Sequence, residues 1–279
     1  MLIVCSKEGL LSNRLFHFSH LVSFAIENGE TIWYPYIAEF APLFCNLKSE
    51  ILGKHGIVIY SSSIFNLILR IIGWLLRKIP ENKYICSADG GGDLDLSLFQ
   101  RKDRRLLFLS GWLLRDYASI RKHRELVKSI FQFDANTIDD CNAKLSLARR
   151  NNALLVGVHI RRGDYKEFQD GKFFFEVEIY REAIDQLRIL FSSEGRDIAF
   201  IICTNDQGIH GSVLLNDSHI FHNRGSQLSD LCILSQCDYI IGPPSTFSAW
   251  ASFYGAVPLT YIVKRNQVIG KSDFRVIEG

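Results

Sequence analysis

The chain has 279 residues, of which 47% are hydrophobic and 22% are charged. This composition is typical of a globular protein with a buried core and excludes a disordered tail, a fibrous repeat or a disulfide-stapled miniprotein. At roughly 150 residues per domain, the length predicts about two domains. The 32 Lys and Arg residues almost balance the 30 Asp and Glu residues, which is too even for a protein whose main partner is nucleic acid.

The cysteines are odd in number and widely spaced, and no two of them form a C-x-x-C pair. We interpret them as reduced core residues, which predicts a cytoplasmic protein. The first residues, MLIVCSKEGLL, lack the basic and long apolar segments of a signal peptide and favour a first strand. The seven cysteines are Cys5, Cys45, Cys86, Cys141, Cys203, Cys232 and Cys237.

The first half of the chain begins with an apolar run, a small polar loop and a segment with helical spacing that ends near Gly29. Strand, loop, helix and strand in this order open an α/β domain with a parallel sheet. The pattern predicts a helix over 13–28 and strands over 2–5, 31–34, 84–88 and 106–110.

The second half alternates more clearly between apolar runs and helical segments. Runs that are almost wholly apolar indicate parallel strands buried on both faces. The polar stretch 149–152 is the predicted domain boundary, with one domain over 1–150 and the other over 151–279. The pattern predicts strands over 153–160, 197–204, 218–222, 238–242 and 256–262, and helices over 175–190 and 226–236.

The segment 64–79 is strongly apolar but contains Arg70, Arg77 and Lys78. It is shorter than the roughly 20 apolar residues of a membrane-spanning helix. Two interpretations stay open. The segment is a helix in the core of the first domain with its basic end exposed, or it lies in a membrane interface with Trp74 at headgroup level.

The densest motif is HIRRGDY, which follows the predicted strand 153–160 directly. Ligands of open α/β sheets bind beyond the carboxyl ends of strands, so Arg161 and Arg162 would emerge at such a site. Two guanidinium groups suit a phosphate, and Asp164 could hold one of them in place. The alternative is a surface ion pair of little consequence.

Other motifs bear on which class of ligand the chain could bind. No G-x-G-x-x-G follows a strand, and the G-K-S at 270–272 has Arg265 where a phosphate loop needs glycine. No His and Cys cluster has the spacing of a metal site. Asp93 and Asp95 in a glycine-rich loop could hold Mg²⁺ or Mn²⁺, although such a loop is more often a solvated turn.

A second cluster lies at 228–248, where a helix leads into a strand and then into a small hydroxylated loop. Ser245 and Thr246 would lie at the start of the next helix, where free N–H groups can bind an anion. A plain helix cap would use the same residues equally well.

Three islands of sequence together resemble a known family. They are similar to elements of the fucosyltransferases that share the motif H-x-R-R-x-D. The three segments are HIRRGDY, D-L-x-x-L-S-Q-C-D-Y-I-I-G followed by P-S-T-F-S, and SNRLFHF at 12–18. The bacterial α-1,2-fucosyltransferases resemble the chain most, with α-1,6 and protein O-fucosyltransferases as relatives. The resemblance implies a GT-B fold, with two Rossmann-like domains facing a cleft, and GDP-fucose in the second domain.

The resemblance also implies roles for single residues. Arg161 would contact the β-phosphate of the donor with help from Arg162, beside Asp164 and Tyr165 of the same motif. Asn13 and Arg14 would lie across the cleft near the reacting centre. Ser12 stands where relatives have glycine, and Asn205 departs from their T-D element. The remaining donor-side residues are His159 and Asp230 at the guanosine end, Ser245, Thr246 and Phe247 along the diphosphate, and Thr204 and Asp206 after the next strand.

The implied reaction is metal-free transfer of fucose to a sugar hydroxyl of a glycan with inversion, because arginine and a helix N-terminus can stabilise the leaving diphosphate. Candidates for the base are Glu8, Asp164 and His17. The implied partners are a nucleotide sugar, a glycan acceptor and possible peripheral contact with the inner face of the membrane. Two alternatives remain: a metal-dependent transferase of another nucleotide sugar that uses Asp93 and Asp95, and a non-catalytic nucleotide-sugar-binding protein.

Overall fold

The chain folds into two compact units, each built around its own sheet. The first contains Met1–Asp134 with Glu278–Gly279, and the second contains Ala135–Ile277. The computed structural model describes all residues except 8, 77, 81–84, 88–105, 112–114, 150–152, 193–194, 196, 207 and 210–218. Every strand pairing within the two sheets of the described chain is parallel, which confirms the predicted α/β class.

The sheet of the first unit has five strands in the order β3-β2-β1-β5-β4. Its strands are β1 (Leu2–Val4), β2 (Ile32–Trp33), β3 (Ile57–Val58), β4 (Ile85–Ser87) and β5 (Leu107–Ser110). Its helices are α1 (Leu11–Glu27), α2 (Ser49–Gly53), α3 (Ser63–Leu76), α4 (Tyr117–Lys122) and α5 (Arg124–Ile130), with a 3-10 helix at Pro35–Leu43.

Helix α1 directly follows β1 and is almost entirely buried. It ends where Gly29 adopts φ +63°, a left-handed conformation that glycine reaches without steric cost. The N–H of Glu30 then returns to the carbonyl of Ala25 at 2.7 Å. The chain can therefore turn at once into β2, beside β1.

The sheet of the second unit has the order β10-β9-β6-β7-β8. Its strands are β6 (Leu154–Ile160), β7 (Ile198–Thr204), β8 (Ile220–His222), β9 (Tyr239–Gly242) and β10 (Leu259–Tyr261). Its helices are α6 (Ala135–Ala148), α7 (Val177–Ser192), α8 (Gln227–Leu234) and α9 (Thr246–Gly255), with 3-10 helices at Asp164–Lys166, Phe168–Gly171 and Lys271–Asp273.

Strand β6 lies at the centre of this sheet, and all seven of its residues are buried. One face of α7 covers it with Tyr180, Ile184 and Leu187, which belong to the same apolar cluster as Val156 and Val158. Burial of each such side chain contributes about 1.5–3 kcal/mol to stability. The core therefore fixes the point where β6 ends and the polar residues after Ile160 begin.

The strand order changes direction between β6 and β9. From β6 the chain adds β7 and β8 on one side and then returns to place β9 on the other side. In open parallel sheets this point of reversal leaves a crevice beyond the carboxyl ends of the two strands. Residues after Ile160 and after Gly242 therefore meet at the edge of the sheet where ligands usually bind.

The two units divide earlier than the predicted boundary at 149–152. Helix α6 comes before that stretch, yet it belongs to the second unit, where the Sγ of buried Cys141 contacts the carbonyl of Ser229 on α8 at 3.8 Å. Its amphipathic face thus packs on α8, which sequence patterning alone did not reveal. The functional roles predicted for the two halves remain predictions.

The segment 64–79 forms most of helix α3, and its exposure contradicts the interpretation of a helix inside the core of the first domain. Only Leu69 and Gly73 of this helix are buried, so it is not a helix packed inside the core of the first unit. Within the described residues, no helix combines the length and the apolar character required to cross a bilayer.

The close pairing of β9 with β6 can be tested at Gly242. A Cβ at this position would lie 2.6 Å from the carbonyl oxygen of His159, and backbone cannot move aside cheaply. We expect Gly242→Ala to lower stability by about 1–3 kcal/mol, measured as a lower midpoint of thermal unfolding. Gly270→Ala is the matched control, because its Cβ would make only ordinary contacts from 3.7 Å. An unchanged midpoint in Gly242→Ala would contradict the close approach of the two strands.

Candidate functional site

Arg161 is the first residue after β6, and all of its described hydrogen bonds fix its guanidinium group in place. Its Nε and Nη2 donate to the two carboxylate oxygens of Asp164 at 3.0 and 2.5 Å. Its Nη1 donates to Ser245 Oγ at 3.0 Å, and its Cζ lies 4.6 Å from the centre of the Tyr165 ring. Burial alone would lower the pKa of Arg161, but the bonds and charge of Asp164 outweigh it and raise that pKa. Arg161 is therefore a preorganised cation.

Ser245 links this cation to the start of α9. Its side chain caps the helix by accepting the N–H of Phe247 at 3.2 Å, and the same oxygen accepts Arg161 Nη1. Thr246 is the first residue of the helix and is half-buried. The capping role predicted for this loop is present, and it places Arg161 at the positive end of a ten-residue helix.

Asn205 completes the loop after β6, although the sequence had marked it only as a departure from a family element. Its Oδ1 accepts the backbone N–H of Arg162 at 3.1 Å, and its Nδ2 donates to Asp164 at 3.4 Å. Its position directly after β7 was a usable signal, because parallel neighbours end at the same edge of a sheet. An amide can donate and accept at once, which an aspartate in its place could not do.

Arg162 has surroundings unlike those of its neighbour. Two carboxylates approach it, Glu176 at 2.9 Å from Nη1 and Asp206 at 3.1 Å from Nε, and its Cζ lies 4.7 Å from the centre of the Phe174 ring. Asp206 is itself held because its backbone N–H donates to Thr204 Oγ1 at 3.0 Å. Thr204, Asp206 and Arg162 thus form one cluster after β7 in which the positive charge is already balanced.

Tyr165 ties the loop after β6 to the loop after β9. Its hydroxyl donates to the carbonyl of Pro244, and its ring stacks on Phe168 with 5.2 Å between centroids. Burial raises the pKa of Tyr165, so the hydroxyl stays protonated and keeps donating. Tyr165 therefore joins the two loops that border the crevice and also contacts Arg161.

His159 is the last but one residue of β6, and its ring is buried against Phe247, with centroids 5.1 Å apart. Burial, reinforced by the charge of Arg161, lowers the pKa of His159 to about 3. The imidazole is therefore neutral at physiological pH. Its Nδ1 is buried and finds no hydrogen-bond partner within the described part of the chain.

Asp230 on α8 belongs to a separate polar group. It is 8% exposed and accepts a 2.7 Å hydrogen bond from Asn223 Nδ2. Asn223 is also buried and follows β8 directly, and sequence reasoning missed it because β8 is short and weakly patterned. Burial raises the pKa of Asp230 to about 7, although the bond from Asn223 opposes this shift.

Asn13 and Arg14 lie in the first turn of α1, in the first unit. Arg14 is buried, donates to the carbonyl of Tyr36 at 3.3 Å, pairs with Glu39 and lies over the Phe40 ring. Two buried atoms, Asn13 Oδ1 and Arg14 Nε, lack hydrogen-bond partners among the described residues. Burying polar atoms in this way is costly, so they mark a place where a ligand group would be favourable.

The three candidates for the catalytic base are His17, Asp164 and Glu8, and the structure describes the first two. His17 is buried against the hydroxyl of Tyr34 at 2.8 Å, and burial holds the pKa of His17 well below its usual range. The bond from Arg161 lowers the pKa of Asp164. Both are therefore weak proton acceptors. Glu8, like the proposed metal ligands Asp93 and Asp95, lies outside the described residues.

Among the described residues no three His, Cys, Asp or Glu side chains are grouped so that they could hold a metal ion. The six cysteines whose side chains the structure describes are free thiols, and five of them are buried. Cys86, the seventh of the predicted core thiols, has no described side chain.

Asp230 predicts a pH dependence of stability. Its pKa is about 7 in the folded state, against 3.8 for an unperturbed aspartate, so its contribution to stability is present below about pH 4 and is lost as the pH rises through about 7. Asp230→Asn should raise the midpoint of thermal unfolding at about pH 8 much more than at about pH 4, without nucleotide. Asp185→Asn, at an exposed carboxylate on α7, is the control. Equal shifts at both pH values would contradict the raised pKa.

Comparison with curated proteins finds distant relatives that transfer sugars. The chain is 26% identical over 195 residues to the O-antigen biosynthesis glycosyltransferase WbnK of Escherichia coli, covering 66% of this chain and 60% of that protein. It is 27% identical over 127 residues to mouse galactoside alpha-(1,2)-fucosyltransferase 1, covering 43% of this chain and 32% of that protein. The matches thus span from about a third to three fifths of these relatives.

Among solved structures, the fucosyltransferase NodZ from Bradyrhizobium has a similar fold. Its TM-score to this chain is 0.59 at 12% sequence identity, covering 96% of this chain and 97% of NodZ. NodZ has also been crystallised with GDP and soaked with GDP-fucose. The likeness confirms the predicted GT-B fold class, which here consists of two Rossmann-like units with parallel sheets.

A family model settles the classification. The model of glycosyl transferase family 11 matches residues 107–275, a stretch that holds β6, β7 and β9 and the whole Arg161 cluster. Since this match covers more than half of the chain, the protein belongs to glycosyl transferase family 11.

Proposed function

We propose that this protein transfers fucose from GDP-fucose to a sugar hydroxyl of a glycan, with inversion and without a metal ion. The observation that carries the proposal is the clamped guanidinium of Arg161 at the point of strand reversal, held by Asp164 and Ser245. Family membership and the curated fucosyltransferase relatives support the same donor.

Arg161 would act on the leaving group. As the bond between the anomeric carbon and the β-phosphate oxygen breaks, negative charge grows on the diphosphate. A buried cation that is already oriented stabilises this charge with little reorganisation, and loss of one such donor commonly lowers the rate by about 10²–10³. The N-terminus of α9, with Ser245 and Thr246, would add backbone donors. Arg162 would have a weaker share, because Glu176 and Asp206 already balance its charge.

The guanosine end of the donor would meet His159 and Asp230, while Phe247 would lie along the diphosphate beside His159. His159 and Phe247 form a buried aromatic pair, and the neutral imidazole has an unpartnered Nδ1 that could bond to a ribose or base group. A carboxylate at Asp230 could accept the N–H groups of guanine. Because the pKa of Asp230 is about 7, donor binding would favour its ionised form.

The acceptor side would involve the first turn of α1. Asn13 and Arg14 have buried atoms without partners, and such atoms suit sugar hydroxyl groups. We propose an α-1,2 linkage and a bacterial surface polysaccharide as product, in line with WbnK and the α-1,2 relatives. His17 and Asp164 have lowered pKa values, so neither would be a strong base for the acceptor hydroxyl. The bond to the leaving diphosphate would therefore break well before the proton leaves, and the proton would go to Glu8 or water.

The place of action that we propose is the cytoplasm. The described cysteines are free thiols and mostly buried, which is typical of proteins in reducing compartments. The predicted membrane contact through 64–79 is a separate proposal, because it concerns a surface of the first unit.

Replacing Arg161 tests the proposal directly. Arg161→Ala should lower kcat at saturating GDP-fucose by about 10²–10³, and Arg161→Lys should recover part of it, because a lysine keeps the charge but not the planar fork. Transfer would be measured as GDP release with a galactoside acceptor. Arg188→Ala on α7, away from the crevice, is the control. Near-normal turnover in Arg161→Ala would overturn the assignment of the donor site.

Two measurements, chelation and ligand-induced thermal shifts, separate the proposed reaction from the two alternatives. With EDTA present, transfer should keep its rate, whereas a transferase using Asp93 and Asp95 with a divalent metal would lose activity that Mg²⁺ or Mn²⁺ restores. Thermal shifts with GDP-, UDP- and CMP-sugars should be largest for GDP-fucose, since a bound ligand stabilises the folded state. A GDP-fucose shift without any GDP release would favour the non-catalytic binder.

A further inference from the structure

Helix α3 presents an apolar face to solvent. Ile64, Ile68, Ile71 and Leu75 recur at helical spacing on one side, and Ile64 is 74% exposed. Water strongly disfavours so continuous an apolar surface, and such patches usually mark an interaction site. The exposed apolar side chains of α3 are Ile64, Phe65, Leu67, Ile68, Ile71, Trp74 and Leu75.

The opposite side of α3 meets its own unit along a narrow line. Leu69 and Gly73 are the buried residues of the helix. A Cβ on Gly73 would lie 2.6 Å from the carbonyl oxygen of Cys5, so only glycine permits this close approach. The helix therefore contacts its unit through the narrow side that contains Leu69 and Gly73, while its broad apolar face points away from the unit.

Aromatic side chains extend the patch beyond the helix. The Phe65 ring contacts Tyr60, with centroids 6.4 Å apart, and Trp33, at 6.1 Å. Tyr60 is 61% exposed. At the other end of α3, Lys78 Nζ lies 3.6 Å from the centre of the Trp74 ring. Trp and Tyr side chains beside basic residues are typical of the level of lipid headgroups.

The charged residues in the segment that contains α3 are all basic. Between Glu50 and Glu81 the sequence contains no acidic residue, but it contains Lys54, Arg70, Arg77 and Lys78. Arg70 is exposed on α3 itself. A face of this kind is complementary to an anionic surface with an apolar layer beneath it.

We propose that α3 docks this protein on an anionic lipid bilayer, with the helix flat in the headgroup region and its apolar face toward the acyl chains. A second copy of the chain fits less well. A two-fold contact through the same face would bring the basic side chains of both copies together. Anionic lipid supplies the missing negative charge, and each basic residue strengthens binding about fivefold.

The test uses the full chain and sucrose-loaded vesicles, either of phosphatidylcholine alone or with about 30 mol% phosphatidylglycerol. The protein should sediment with the anionic vesicles and much less with the neutral ones. Arg70→Gln should lower the partition coefficient about fivefold, and Ile71→Glu should lower it more than tenfold. No donor or acceptor is present, so the result does not depend on the proposed transferase activity.

Ile189→Glu is the matched control. It makes the same chemical change at an isoleucine that is 76% exposed on α7, in the second unit, and it should sediment like the unchanged protein. Tryptophan emission should also shift to the blue with anionic vesicles, and Trp74→Phe should remove most of the shift.

Three outcomes would overturn the proposal. The first is absence of sedimentation with anionic vesicles, and the second is equal loss of binding in Ile71→Glu and Ile189→Glu. The third is a chain that is dimeric by analytical ultracentrifugation, becomes monomeric in Ile71→Glu and does not bind lipid. That result would assign the face to a second copy.

Discussion

The site in the second unit depends on the parallel pairing of β6 with β9, two strands that lie far apart in the sequence. Their register sets Val158 beside Ile241. Arg161 follows one strand and Ser245 follows the other, so the two residues lie next to each other. The 3.0 Å bond between them crosses the point where the strand order reverses. A slip of one residue would turn every side chain of β6 to the opposite face, and the apolar packing of β6 against α7 excludes it.

This constraint explains why adjacent arginines have different surroundings. Strand β6 lies between β9 and β7, and the two arginines that follow it reach residues after different neighbouring strands. Arg161 reaches the start of α9, where hydroxyl and backbone donors collect. Arg162 reaches Glu176 and Asp206 and pins the loop before α7. Arg161 is thus held by one carboxylate and one hydroxyl group, whereas Arg162 is paired with two carboxylates.

The sequence predicted the long apolar strands well, because seven buried residues in β6 and the run in β7 leave a pattern that few other structures share. It missed β3, since Ile57–Val58 has only two residues and owes its extended form to pairing with β2. It also missed Asn205 and Asn223. Their partners come from other loops, and a single amide carries no local signal of a distant contact. Motif resemblance located Arg161, but its clamp required the folded sheet.

The near-neutral total charge of the chain hides two different ways of presenting positive charge. Arg161 is mostly buried and fixed by bonds to Asp164; such a cation loses little entropy on binding and can discriminate the geometry of one small anion. Arg70 and Lys78 are exposed at the edge of an apolar face; cations of this kind follow the average field of a surface and do not select a particular atom. Fixed charge suits a leaving diphosphate whose position must be set to fractions of an ångström. Exposed charge suits a fluid bilayer, whose headgroups offer no fixed partner. The difference in burial between these arginines is therefore the physical basis for assigning them to different ligands.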